Sequence, residues 1–283
     1  MPCSPTSERD NWPTVTGAES ATAHELIAAG LERREARWLL EAFAGRDGLE
    51  AAVRRRLDGA PLQYVIGHWP FRSLELDVDE RALIPRPETE ELVGRAIAAL
   101  AGRTSAPSIL DLGCGSGAIG LALLAELRER AVAASLVALD RSPDCLALAR
   151  TNARKHGLDA VAFVEGSWYD GLDPSLARSF DLIVANPPYV GALEYDELDD
   201  VVRHEPRTAL VAPDADGVAG FADLATVIGG APAWLASGGA LVVEHGYRQR
   251  EAARRAALAA RLVDVETYDD LAGHPRILVA RRP

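Results

Sequence analysis

Several ingredients are scarce in this chain, and each scarcity removes a class of protein. Its 283 residues include only three cysteines. Cys3, Cys114 and Cys145 are an odd number at unrelated spacings, which suits neither a disulfide framework nor a zinc site. The six histidines, His24, His68, His156, His204, His245 and His274, show no paired ligand spacing, so no metal is expected. No nucleophile triad is recognisable. Long apolar runs are also missing: Ala131 to Leu139 is far too short to span a bilayer, and the opening residues are polar. A cytoplasmic protein without membrane attachment is expected. Positive charge is in deficit, with 30 Lys and Arg against 42 Asp and Glu, a formal net charge of −12. Such a surface repels polyphosphate, so stable nucleic-acid binding is not expected. Arg33, Arg34 and Arg37 with Arg54, Arg55 and Arg56 form a local basic patch at helical spacing, which reads as a solvated face.

What is present is the balance of an ordinary globular protein, 48% hydrophobic and 25% charged, and its length accommodates a catalytic domain plus a smaller one. From Ser20 to about Gly59 apolar residues recur at three- and four-residue steps (Leu26, Ile27, Leu31; Trp38, Leu39, Phe43; Val53, Leu57), which predicts a few short helices. Between Val65 and Leu83 the period changes to two, predicting a half-buried hairpin. We place a helical domain over 1–75, ending in the start of that hairpin, and a second domain over 76–283. After Pro85 and Pro87 a helix carries Leu92, Val93, Ala96, Ile97 and Leu100 on one stripe, with Glu88 and Glu90 in its first turn. From Ser108 on, the runs SILDL, SLVALD, VAFVEG, FDLIVA, GALVVEHG, LVDVETY and PRILVAR alternate with helical segments. That alternation predicts an α/β fold with a mostly parallel sheet, and the short link between the last two runs predicts an antiparallel pair at one edge.

Three segments carry chemistry. SILDL runs into Gly113, Cys114, Gly115, Ser116 and Gly117 and then into a helix, so a glycine-rich turn sits where a strand feeds a helix. Asp140 ends the next strand, where a carboxylate accepts hydrogen bonds from both hydroxyls of a ribose. The loop lacks the Lys-Ser/Thr pair of a phosphate-binding loop, which favours a nucleoside without phosphate; NAD is the competing cofactor. Third, FDLIVA ends in Asn186, Pro187, Pro188 and Tyr189. The prolines stiffen the backbone and remove two donors, leaving the Asn186 amide and the Pro187 carbonyl as acceptors for a planar NH2 group, with Tyr189 to pack on its flat face. Each feature has a plainer structural explanation taken alone: a turn, a helix cap, a proline bend.

The segments PLQYVIGHWPF, LIPRPETEELV, ILDLGCGSGAIGLALL, ALDRSPDCLALARTNA, ANPPYV, VRHEPRTALVAPDADG and ALVVEHG, in this order from about His24 to the C-terminus, resemble the peptide chain release factor glutamine-N5 methyltransferases (PrmC/HemK family). The resemblance implies a class I, Rossmann-like seven-stranded methyltransferase sheet with a small N-terminal helical substrate-recognition domain. It implies S-adenosylmethionine as cofactor and, as partner and substrate, a release factor methylated on the glutamine of its Gly-Gly-Gln motif. By the same resemblance Gly113 to Gly117, Asp140, Trp168 and Asn186 bind the cofactor, with Trp168 near the adenine. Asn186, Pro187, Pro188 and Tyr189 bind the glutamine, with Asn186, Pro187 and Tyr189 catalytic. Without the resemblance, Trp168 reads as a core aromatic. Glu88 and Glu90 belong to the family pattern, but first-turn acids suit any helix. His245 reads as an ordinary strand-end residue.

Other substrates fit the same residues. An exocyclic adenine amine is also a planar NH2, but reaching it in a duplex requires base flipping and phosphate contacts that the net acidity opposes. A ribosomal-protein glutamine is a nearer alternative. A non-catalytic cofactor-binding scaffold is opposed by the intact Asn-Pro-Pro-Tyr array.

Overall fold

A computed structural model describes residues 22–45, 47–102 and 106–283 and divides the chain into two compact units, one ending at Ile66 and the other starting at Gly67. In the first unit, α1 (Ala23–Ala28), α2 (Arg33–Ala42), α3 (Leu49–Leu57) and α4 (Leu62–Ile66) pack around Leu26, Leu31, Leu39, Val53, Leu62 and Val65. Thr22 starts α1 with a capping box that also uses Glu25. Of the apolar steps read from the sequence, Leu26, Leu31, Leu39 and Val53 are buried and Trp38 and Phe43 pack against them, whereas Ile27 and Leu57 are exposed. The basic patch is largely engaged within the unit: Arg56 pairs with Glu35 at 2.7 Å, Arg37 with Glu41 at 3.1 Å, Arg54 with Glu50, and Arg34 stacks over Trp38.

The second unit opens with the antiparallel hairpin β1 (His68–Phe71) and β2 (Leu74–Asp77). The expected domain limit at 75/76 falls inside β2, whereas the division between units precedes the hairpin. The physical reason is tertiary. Asn152, fully buried on the helix Pro143–Lys155, accepts the Asp77 N–H at 2.7 Å and donates to the Asp77 carbonyl at 3.1 Å, which ties the hairpin to the rest of the second unit.

Then follow α5 (Pro87–Ala99), β3 (Ser108–Leu112), α6 (Ala118–Glu129), β4 (Ser135–Asp140), α7 (Pro143–Lys155), β5 (Val161–Glu165), β6 (Phe180–Ala185), α8 (Arg207–Leu210), α9 (Ala222–Trp234), β7 (Leu235–Glu244), α10 (Arg250–Ala259), β8 (Val263–Asp269) and β9 (Pro275–Arg281). The seven strands from β3 on form one sheet in the order β5-β4-β3-β6-β7-β9-β8. Its first five are parallel, and β9 runs antiparallel to both β7 and β8. The α/β class, the parallel sheet and the antiparallel edge pair all agree with the sequence-based expectation.

Burial explains the strand composition. Ile109, Leu110, Leu182, Ile183, Leu241 and Val242 are all fully buried, as central strands covered on both faces require. Helix α6 is buried along nearly its whole length, so its apolar residues are not confined to one stripe. It lies so close to the sheet that a Cβ on Gly120 would stand 2.7 Å from Leu136 and 2.8 Å from the Asp111 carboxylate. Strand order reverses at β3, flanked by β4 and β6, and open α/β sheets bind ligands outside the carboxyl ends of strands at such a point.

Candidate active site

Beyond those strand ends lies a cleft lined entirely by residues of the second unit. The turn after β3 forms its floor. Gly113 and Cys114 both donate to the Leu139 carbonyl, at 2.8 and 3.0 Å, and Gly113, Gly115 and Gly117 all take positive φ (69°, 55° and 85°), which L side chains rarely adopt. Asp140 ends β4 with its carboxylate bridging two backbones: Oδ2 accepts the Gly115 N–H and Oδ1 the Ser142 N–H, both at 2.9 Å. Each oxygen retains acceptor capacity toward the cleft that Asp140 lines.

The walls are chemically uneven. Ile119, Leu139 and Trp168 supply apolar surface. The Trp168 ring lies 3.5 Å from where a Gly113 Cβ would be, and its indole N–H donates to Asp223 at 3.1 Å. Burial raises the Asp223 carboxyl, against the opposing effect of that hydrogen bond. Burial likewise raises the thiols of Cys114 and Cys145, the latter to about 11, so neither is an activated nucleophile. The Asp140 carboxylate beside an aromatic wall fits a ribose and a flat base, while the arginines that also line the cleft, Arg81, Arg86 and Arg141, are bonded to Asp79, Glu205 and the Thr208 carbonyl. These residues therefore suit an adenosine-type cofactor.

Asn186 follows β6 and lines the same cleft together with Pro188. Its Nδ2 donates to the Thr89 hydroxyl at 3.2 Å, the Thr89 hydroxyl donates to Glu244 Oε2 at 2.7 Å, and the Tyr189 phenol donates to Glu244 Oε1 at 3.2 Å. Burial raises the Glu244 carboxyl, while those two hydroxyls and the Arg276 charge pull it down. Burial also raises the Tyr189 phenol, keeping it protonated. Gln249, itself buried, donates to the Tyr189 carbonyl at 3.1 Å and fixes the end of the loop.

Of the residues singled out from sequence, Gly113, Cys114, Gly115, Ser116, Asp140, Trp168, Asn186 and Pro188 border the cleft. Gly117 instead caps α6, Pro187 is buried, and the Tyr189 hydroxyl is turned to Glu244. Glu90 accepts the Arg72 N–H at 3.2 Å, and His245 is fully buried with Nδ1 at the Gly246 carbonyl. Sequence reasoning missed Thr89, which lies between the two acids considered, and Glu205 in VRHEPR. Glu205 accepts the Ile84 N–H at 2.9 Å and the Arg86 guanidinium, and so pins the Arg81–Arg86 wall. Among the described residues no cluster of three His, Cys, Asp or Glu could hold a metal, and no helix is long and apolar enough to cross a membrane.

The sheet and its glycine loop define a class, and residues 103–273 match the methyltransferase domain family. A methyltransferase from Pyrococcus furiosus shares the fold, with a TM-score of 0.50 over 74% of this chain and 89% of its own at 15% identity. Similarity in sequence is much closer elsewhere. The release factor glutamine methyltransferase of Escherichia coli (strain K12) is 37% identical, covering 91% of this chain and 95% of its own length. That of Xylella fastidiosa (strain 9a5c) is 40% identical over 86% of this chain and 84% of its own. The chain belongs to the release factor glutamine methyltransferase family.

Proposed function

We propose that this protein transfers a methyl group from S-adenosylmethionine to the side-chain amide nitrogen, N5, of the glutamine in the Gly-Gly-Gln motif of a peptide chain release factor. The observation that carries this reading is the position of Asn186, whose carboxamide lines the same cleft as the Gly113–Ser116 turn and Asp140. Cofactor and acceptor nitrogen thus share one space.

The cofactor, when bound, supplies an electrophilic methyl on a positively charged sulfur. Asp140 would accept the ribose hydroxyls, and Trp168 would lie against the adenine. An amide nitrogen is a weak nucleophile because its lone pair is delocalised into the carbonyl. Asn186 Oδ1 and the Pro187 carbonyl each accept one N–H of the glutamine amide, which aims the nitrogen and favours positive charge developing on it. Pro188 stiffens the array, and Tyr189 is held through Glu244 beside it. The helical unit preceding Gly67 contacts the body of the release factor, so a short peptide is a poorer substrate than the whole protein.

The test incubates enzyme and labelled cofactor separately with a release factor, its Gln→Ala variant, adenine-containing DNA and ribosomal proteins, and maps the label by mass spectrometry. Label confined to the release-factor glutamine is expected. Label on DNA or ribosomal protein, or undiminished label on the Gln→Ala variant, overturns the assignment.

A further inference from the structure

A carboxamide has two nearly isosteric ends, and only one of them is useful at Asn186. If Oδ1 faces the substrate amide it accepts an N–H; rotated by half a turn, Nδ2 faces it and two donors oppose each other. The difference is a hydrogen bond gained or a repulsion incurred, so something must choose the rotamer. Thr89 alone cannot. A hydroxyl donates or accepts with equal facility and would satisfy either end of the amide.

The choice is made one step further back. Glu244, at the carboxyl end of β7, is 1% exposed, and as a carboxylate it only accepts. Its Oε2 takes the single proton of Thr89 at 2.7 Å, leaving the Thr89 oxygen to accept. That oxygen therefore receives Asn186 Nδ2, at 3.2 Å, and Oδ1 is left for the cleft. The other carboxylate oxygen takes the Tyr189 proton. A buried carboxylate is expensive unless partnered, and an apolar residue would fill the same volume without that desolvation. What a carboxylate adds is a fixed direction for every proton in the chain.

We propose that Thr89 and Glu244 are positioning residues that set the hydrogen-bond polarity of Asn186, so that its Oδ1 rather than its Nδ2 meets the substrate amide. This rests on the role given to Asn186 above and adds to it two residues that touch no reacting atom.

The experiment compares Thr89→Val, Thr89→Ser, Glu244→Gln and Asn186→Ala, and the doubles Thr89→Val/Asn186→Ala and Glu244→Gln/Asn186→Ala. Single-turnover rates on release factor are read from labelled cofactor, and cofactor affinity is read by calorimetry. Thr89→Val is nearly isosteric, which protects the fold if the Glu244 variant does not survive. Expected are a loss in rate of about ten- to a hundredfold for Thr89→Val, a cofactor Kd within about twofold of wild type, and recovery to within about threefold in Thr89→Ser, which keeps the hydroxyl. With Asn186 already removed, neither Thr89→Val nor Glu244→Gln should reduce the rate further, because their effect passes through that side chain. Near wild-type rates in Thr89→Val, or losses that multiply in the doubles, overturn the relay while leaving the reading of Asn186 intact. Near wild-type turnover by Asn186→Ala overturns that reading and the relay with it.

Discussion

Asp140 accepts the Gly115 N–H at 2.9 Å, so the carboxylate that ends β4 and the glycine turn that follows β3 are one mechanical unit. Asp140→Ala therefore removes both the proposed ribose acceptor and a strut of the loop. We expect cofactor affinity to fall by about 1.5–3 kcal/mol, measured by calorimetry in EDTA, with Asp140→Asn intermediate because one acceptor oxygen survives. Unchanged affinity in the alanine variant would remove Asp140 from the site.

The approach of α6 to the sheet gives a second prediction. Gly120 has ordinary helical geometry, so alanine there suffers no backbone strain and even gains helix propensity. Space decides the sign instead, since the added methyl would meet Leu136 at 2.7 Å and the Asp111 carboxylate at 2.8 Å. Gly120→Ala should destabilise the protein by about 1–3 kcal/mol, read from urea unfolding. An unchanged midpoint would mean that α6 shifts freely, against its burial on every side.

Asp111 gives a pH dependence. Burial pushes its carboxyl up to about 7, opposed by the hydrogen bond it accepts from the Gly120 N–H at 2.9 Å, while Oδ1 is buried without a partner. In the unfolded chain an aspartate titrates near about 3.9. The folded state thus holds the proton more tightly: the contribution to stability is complete below about pH 4 and is lost as pH rises to about 7. Asp111→Asn cannot titrate. Its stability relative to wild type should rise between about pH 4 and about pH 7 in urea unfolding without cofactor; a difference that is constant or falls over that window contradicts the buried proton.

How much of this was legible follows from how far each signal reaches along the chain. The Gly113–Gly117 turn, Asp140 and Asn186–Tyr189 are local features, each written as a strand followed at once by its candidate residues, and most of them, though not Gly117, Pro187 or Tyr189, border the cleft. Thr89 and Glu244 stand 155 positions apart, and Ile84 and Glu205 stand 121 apart. In sequence Thr89 is hidden between two helix-start acids and Glu244 beside an ordinary histidine. Only the sheet, which brings the end of β7 beside the start of α5, shows that their polar atoms belong together. The same holds for the hairpin. Its alternation is readable, but its attachment through Asn152 is not, because a single asparagine in the last turn of α7 has no periodic signature.

Glu205 supplies the last prediction. It is buried, and its two oxygens satisfy the Ile84 N–H and the Arg86 side chain, two donors on the segment that forms one wall of the cleft. Glu205→Ala strands both, at a cost of about 1–3 kcal/mol for the buried backbone donor alone; Arg86 is partly exposed and recovers water, so its share is smaller. Glu205→Gln keeps an acceptor for Ile84 and loses the charge and the second acceptor that Arg86 uses. The two variants should therefore separate. In the alanine variant the Ile84 amide should exchange with solvent faster, cofactor affinity should weaken as the wall loosens, and the urea midpoint should fall. In the glutamine variant Ile84 protection should stay near wild type. The readout is hydrogen exchange resolved at Ile84: protection that survives Glu205→Ala would show that the Arg81–Arg86 wall is held by something other than this carboxylate.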